Sequence, residues 1–230
     1  MKEMKCVAAI LAGGRGIRLR PITDYIPKPM LPFGDDEKPV LEHIIEWIKS
    51  FGIRDFVLLV GYKYKQIVNY FRDGDRWDVN IRYSVDDDKH KGTGGALLKA
   101  HKNRLFDEFE HVLVWYGDII AKVNVKDLMN KHEKEKCDVT IVATKKYRLP
   151  VGLLKVSDSI VTQVLEKPVL NEFVGIGIFV FNRSILNYLE NVRVRKTSCD
   201  IAVDFLPLLL EKNMVIKVYQ CDEWLDVGHK

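Results

Sequence analysis

Glycines at 13, 14 and 16 close a short apolar run, Arg18 and Lys28 follow them, and Pro21, Pro27, Pro29 and Pro32 stiffen the segment around the lysine. Glycine lets backbone amides approach an anion with no β-carbon in the way. Arg18 offers a planar fork to phosphate oxygens and Lys28 a compact point charge, the two modes by which proteins neutralise a polyphosphate. The prolines fix φ and hold Lys28 at a defined place instead of on a free surface. LAGGRGIRLRPITDYIPKPMLPF, residues 11–33, therefore predicts a site for a phosphate-bearing ligand. Two further carboxylates end apolar segments, Asp118 after HVLVWYG and Asp226 after EWL. Burial there is costly without a cation partner.

Two familiar phosphate loops do not fit. A dinucleotide fingerprint needs a third glycine where Leu19 stands and an acidic residue after the second strand, where Gly61 stands. A P-loop needs Gly-Lys-Ser/Thr after four spacers, where the chain has Arg-Gly-Ile-Arg. Neither GxSxG nor HExxH occurs, and none of the six histidines pairs at metal-ligand spacing.

The elements that must position these groups follow from periodicity. CVAAILAGG reads as a buried strand; Val40, Leu41, Ile44, Ile45 and Ile48 mark a helical face ending near Gly52. DFVLLVGY is a second strand, Tyr64 to Phe71 a second helix, VNIRYSV a third strand, and Ala96, Leu97 and Ala100 begin a third helix before HVLVWYGD. Strands alternating with helices predict an α/β, Rossmann-like, mainly parallel sheet flanked by helices, with ligands beyond the carboxyl ends of the strands. That puts the Gly13 loop and Asp118 on one edge. From Val139 short strands crowd together, VTIVATK, VGLLKV, IVTQVLEKP and FVGIGIFVF, predicting a mixed or antiparallel insertion; a helix near 200–212, VIKVYQC and EWLDVG close the chain. The expected organisation is one domain, 1–230, with parts 1–138 and 139–230 on either side of a ligand cleft.

The 36 basic and 32 acidic residues are interspersed, giving +4 without the basic face that duplex DNA requires. No nucleic-acid partner is expected. No apolar stretch has membrane-spanning length, and the four scattered cysteines form no CxxC pair, which fits a soluble protein of the reducing cytoplasm.

Residues 11–32 closely resemble the GGxGTRLxPLTxxxPKxxLP signature of sugar-1-phosphate nucleotidyltransferases. GTGGALLKA, YGD, LEKP, VGIGIFVF and WLDVG are similar to further motifs of that family, in the same order. The resemblance implies transfer of a nucleotidyl group from a nucleoside triphosphate to a sugar 1-phosphate, with Mg²⁺ as cofactor. It assigns Leu11, Gly13, Gly14, Gly16 and Gly94 to the nucleotide, Arg18 and Lys28 to the reacting phosphates, and Asp118 and Asp226 to the metal. Gly152, Glu166, Lys167 and Gly175 fall to the sugar phosphate. Departures cluster on the sugar side, where Val151 replaces a common tyrosine and Gly175 an expected asparagine; Ile17 and Gly95 also differ from the pattern. A phosphocholine-type acceptor, a catalytically silent regulatory subunit and homo-oligomerisation stay open, as do base and sugar, with a slight lean to guanine from DIAVDFLPLL.

Overall fold

The computed structural model describes residues 5–193 and 197–228. Strand β1 (Cys6–Ala12) sends Ala8 and Ile10 into one core and Val7 and Ala9 into another. A strand covered on both faces reads as a continuous apolar run instead of an alternating one. A minimal hairpin, β2 (Pro32–Phe33) with β3 (Lys38–Pro39), leads into α1 (Val40–Ser50). Then come β4 (Asp55–Val60), α2 (Tyr64–Phe71), β5 (Asn80–Val85), α3 (Thr93–Lys102) and β6 (His111–Tyr116). Next are β7 (Ile119–Ala121), α4 (Val125–Lys134), β8 (Val139–Thr144), β9 (Leu153–Ser157), β10 (Ile160–Leu165) and β11 (Val174–Asn182). After α5 (Leu189–Arg193) and α6 (Leu206–Glu211), β12 (Ile216–Gln220) and β13 (Trp224–Asp226) complete the described chain.

Seven strands form one sheet in the order β12, β8, β11, β6, β1, β4, β5. Strand β1 runs parallel to β4 and β6, β4 to β5, and β12 to β8, while β11 is antiparallel to both neighbours. Helices α1, α2 and α4 close one face; α3, α5 and α6 close the other. The result is the three-layer, mainly parallel α/β architecture that the strand–helix alternation predicts.

The structure departs from the sequence reading in four places. The crowded strands after Val139 are not one insertion: β8, β11 and β12 extend the central sheet, and only the β9–β10 hairpin stands apart, every residue of it exposed. Ile178 and Val180 face one core and Phe179 and Phe181 the other, so β11 cannot sit in a one-sided appendage. As the sequence reading has it, no α-helix precedes α1; three 3-10 turns at 17–19, 22–24 and 28–30 follow the glycine loop, in a segment whose prolines lack the amide donors an α-helix needs. Helix α3 starts at Thr93, ahead of Ala96, and α4 has no counterpart in the sequence reading. Asp200 caps the later helix, accepting from Ala202 and Val203 amides, but 201–205 form a π-helical turn before α6. Among the described residues no helix is long and apolar enough to cross a membrane.

Candidate active site

Four parallel strands end on one edge, and chain order reverses between β1 and β6 there, with β4 and β5 lying to one side. Such a switch point opens a crevice beyond the strand ends. A cavity of about 420 Å³ occupies it, walled by the Gly13–Gly16 loop, Lys28, Asp86, Thr93, Tyr116 and Asp118.

The loop's shape is fixed by its neighbours. Gly16 adopts φ +62°, where a side chain is strained, and a β-carbon there would also press the Thr23 methyl. Thr23, fully buried, donates its hydroxyl to the Gly16 carbonyl at 2.9 Å. The chain then turns through Ile17–Leu19, leaving Arg18 exposed and placing Arg15, Gly13, Gly14 and Gly16 on the cavity wall beside Leu11.

Lys28 begins the third 3-10 turn between extended Pro27 and buried Pro29, so its backbone is pinned and its side chain reaches into the cavity. Its Nζ lies 2.6 Å from Asp118 Oδ2, both side chains about three-quarters or more covered. Asp226 is delivered to the same spot by an antiparallel pairing of β13 with β7 that sets it opposite Ile119, and the Val227 amide donates to the Asp118 carbonyl at 2.9 Å. Its Oδ1 accepts the Gly228 amide at 2.6 Å. Residues from opposite halves of the chain thus form one carboxylate pair facing one lysine.

Two carboxylates that already attract a cation suit Mg²⁺, which takes one or two protein carboxylates and completes its octahedron with phosphates and water. Among the described residues no group of three or more His, Cys, Asp or Glu side chains is arranged to hold a metal ion.

The cavity wall also includes Asp86, from the DDDKHK run, Thr93 of GTGGALLKA and Tyr116 of YGD. Asp86, at the end of β5, lodges its carboxylate between Gly13 and Gly61; a β-carbon on either would collide with Oδ2. Burial raises its pKa above the ordinary carboxylate range, with Lys99 opposing and Asp87 reinforcing the shift. Tyr116 is pushed up to about 12, chiefly by burial, and touches Thr93, which donates to Asp200 at 3.0 Å. The signal for Asp86 was its place directly after an apolar strand, obscured by two more aspartates.

Gly94 does not reach the cavity. It is buried in the first turn of α3 against Cys199, and its amide donates to the Cys199 carbonyl at 3.0 Å. Glu166 and Lys167 sit exposed where β10 ends, Gly152 packs beside Glu166, and Gly175 pairs with Ala143 in β11; none of the four lines the cavity.

A family model described as nucleotidyl transferase matches residues 7–230. The chain belongs to the nucleotidyl transferase family. Two curated relatives of this family member are a UTP–glucose-1-phosphate uridylyltransferase from Synechocystis, 32% identical over 96% of the chain, and a mannose-1-phosphate guanyltransferase from Pichia angusta, 35% identical over 95%. The chain spans 60% of the length of each. A crystal structure described as a putative glucose-1-phosphate thymidylyltransferase from Bacillus anthracis shares the fold, with a TM-score of 0.75 at 21% identity, covering 97% of this chain and 90% of that one.

Proposed function

We propose that this chain transfers a nucleotidyl group from a nucleoside triphosphate to a sugar 1-phosphate with the help of Mg²⁺. The observation that carries the reading is the convergence of Lys28, Asp118 and Asp226 beside a glycine-walled cavity. An acceptor phosphate oxygen attacks the α-phosphorus, the bond from that phosphorus to the bridging oxygen breaks, and pyrophosphate leaves. The attacking oxygen is already anionic, so no general base is needed; two anions must meet, and neutralisation is the problem. Lys28 supplies a positive charge from a pinned backbone, Arg15 and Arg18 flank the loop, and the Gly13–Gly16 segment brings main chain close to the phosphates. Bound Mg²⁺, held by Asp118 and Asp226, would supply further charge neutralisation at the phosphates. Glu166 and Lys167, on the hairpin side, are the proposed acceptor contacts, and four buried cysteines with no CxxC pair among them support a cytoplasmic location.

Guanine is the base this cavity suits. With the phosphates at the Lys28 end, we read the base at the Asp86 end, where the carboxylate, once ionised, would accept and not donate. Guanine's N1–H and N2 amino group give it two adjacent donors, whereas uracil and thymine present a carbonyl on each side of one N–H. The test is a matrix of nucleoside triphosphates against sugar 1-phosphates and phosphocholine, scored by Mg²⁺-dependent pyrophosphate release. GTP with a sugar 1-phosphate is expected to lead, and Asp86→Asn to shrink its lead about 10- to 100-fold, the value of one bidentate base contact. Turnover with phosphocholine alone, or none at all despite nucleotide binding, would overturn the reaction. An unchanged GTP preference in Asp86→Asn would overturn the base assignment alone.

A further inference from the structure

We propose that Lys28 is the built-in counter-ion of the carboxylate pair in the ligand-free protein, and that loading the site is an exchange in which the ammonium moves to phosphate as the metal takes its place. The inference rests on the metal reading above and adds to it an order of events and a residue that enforces it.

The geometry makes the two cations rivals for one position. The Lys28 ammonium is 2.6 Å from Asp118 Oδ2. It and Asp226 Oδ1 both lie within 3 Å of the point a Gly228 β-carbon would occupy, so the ammonium is wedged at the seam where β7 and β13 bring the carboxylates together. A divalent ion bound to the same oxygens would stand a few ångströms from the ammonium, in a cleft where repulsion is poorly screened. Free metal therefore meets an occupied position.

The lysine has somewhere to go. Its main chain is held by Pro27, by buried Pro29 and by the Met30 amide donating to the Pro27 carbonyl at 2.8 Å, but its four-carbon stem is free to rotate, and it also lines the cavity with Gly13, Gly14 and Gly16. A nucleotide brings the oxygens that attract the ammonium away from Asp118. Metal and nucleotide affinities are then strongly coupled through one side chain, and coupling is reciprocal.

Removing the lysine's charge should accordingly tighten metal binding to the free protein and shrink the coupling between metal and nucleotide. Mn²⁺ binding followed by electron paramagnetic resonance, on nucleotide-free protein, should be about 10- to 100-fold tighter in Lys28→Met than in wild type, the usual range of site-to-site coupling. Lys28→Arg, which keeps a cation at the seam, should stay as weak as wild type. GTP, UTP or dTTP added in turn should raise the Mn²⁺ affinity of the wild type far more than that of Lys28→Met. Circular dichroism checks that each variant is folded, and Lys28→Gln serves if Lys28→Met is not. A folded, charge-free variant that binds Mn²⁺ no tighter than wild type would overturn the exchange while leaving the metal reading standing. Wild-type protein that adds nothing to the Mn²⁺ signal of any of the three nucleotides in solution would overturn the metal reading, and the exchange with it.

Discussion

Asp118→Asn and Asp226→Asn isolate what the two carboxylates do, because asparagine keeps the shape and removes the charge. Each should lower turnover on the order of 10²- to 10³-fold, the usual cost of losing one preorganised electrostatic group. Stability should move by no more than about 1 kcal/mol, since a partly exposed ion pair contributes little and the side-chain carbonyl left by Asp226→Asn would still accept the Gly228 amide. Wild-type activity in a folded variant would remove that aspartate from the site. Arg18→Ala should cost about 10²-fold in kcat; if Arg15→Ala carries that loss and Arg18→Ala does not, the phosphate contact belongs to the residue already on the cavity wall. At this scale the cavity-wall positions of Gly13, Gly14, Gly16, Lys28 and Asp118 were legible, because glycine, proline and isolated charges leave a local trace, whereas Gly94, Gly152, Glu166, Lys167 and Gly175 lie off that wall. Tyr116 stood within the YGD motif, but its individual role and that of Asp86 were not legible, because a residue at a strand end gains its role from which strands lie beside it.

The elements decide whether the loop and the carboxylates meet. Thr23 is the clearest example: its hydroxyl bonds the Gly16 carbonyl and its methyl packs under the same residue. Thr23→Val keeps the volume and breaks the bond while the Leu19 amide still donates to the Gly16 carbonyl at 3.0 Å, so the cost should be that of one hydrogen bond, about 0.5–1.5 kcal/mol. A loosened loop should raise the KM for nucleotide more than it lowers kcat, measured by steady-state kinetics beside thermal unfolding; an unchanged KM would show that the loop does not depend on this clamp. Strands β1, β4 and β6 could be read directly, since burial on both faces writes a continuous apolar run, and the edge strand β5 from its alternation. Helix α4 escaped notice although Val125, Leu128 and Met129 fall at helical spacing behind Asn124, whose side chain accepts the Asp127 amide at 3.0 Å; its remaining residues are polar and dilute that stripe. The pairing of β13 with β7 was not legible, because three-residue strands distant in sequence carry no mutual register signal.

Across the whole molecule, the β8–β11 side of the sheet is tied to α4 by a buried histidine. His132 shares hydrogen bonds with Thr140 at 2.8 Å and Asn182 at 2.9 Å, and burial lowers its pKa below 6.5, partly offset by Asn182. The unfolded chain takes up a proton near the ordinary value while the folded protein resists it, so between the two values the unfolded state binds more protons and stability falls as pH falls. The melting temperature should drop from pH 7 toward pH 5, and less steeply in His132→Gln; parallel slopes would contradict the assignment. The cavity lies elsewhere, at the β1–β6 switch point, so this titration should leave the nucleotide preference unchanged. Fold class was readable from alternation alone, whereas the division of residues 139–230 between the central sheet and an exposed hairpin depended on long-range pairing.

The most direct test of the whole account follows the phosphorus atoms. Nucleoside triphosphate labelled at the α-phosphorus or at the γ-phosphorus is incubated with sugar 1-phosphate, Mg²⁺ and enzyme, and the products are separated. The α-label should appear in a nucleoside diphosphate sugar and the γ-label in pyrophosphate, with both products lost together in Asp118→Asn and Asp226→Asn. Finding the α-label only in free nucleotide, or the γ-label in inorganic phosphate or on the sugar, would contradict nucleotidyl transfer at this site.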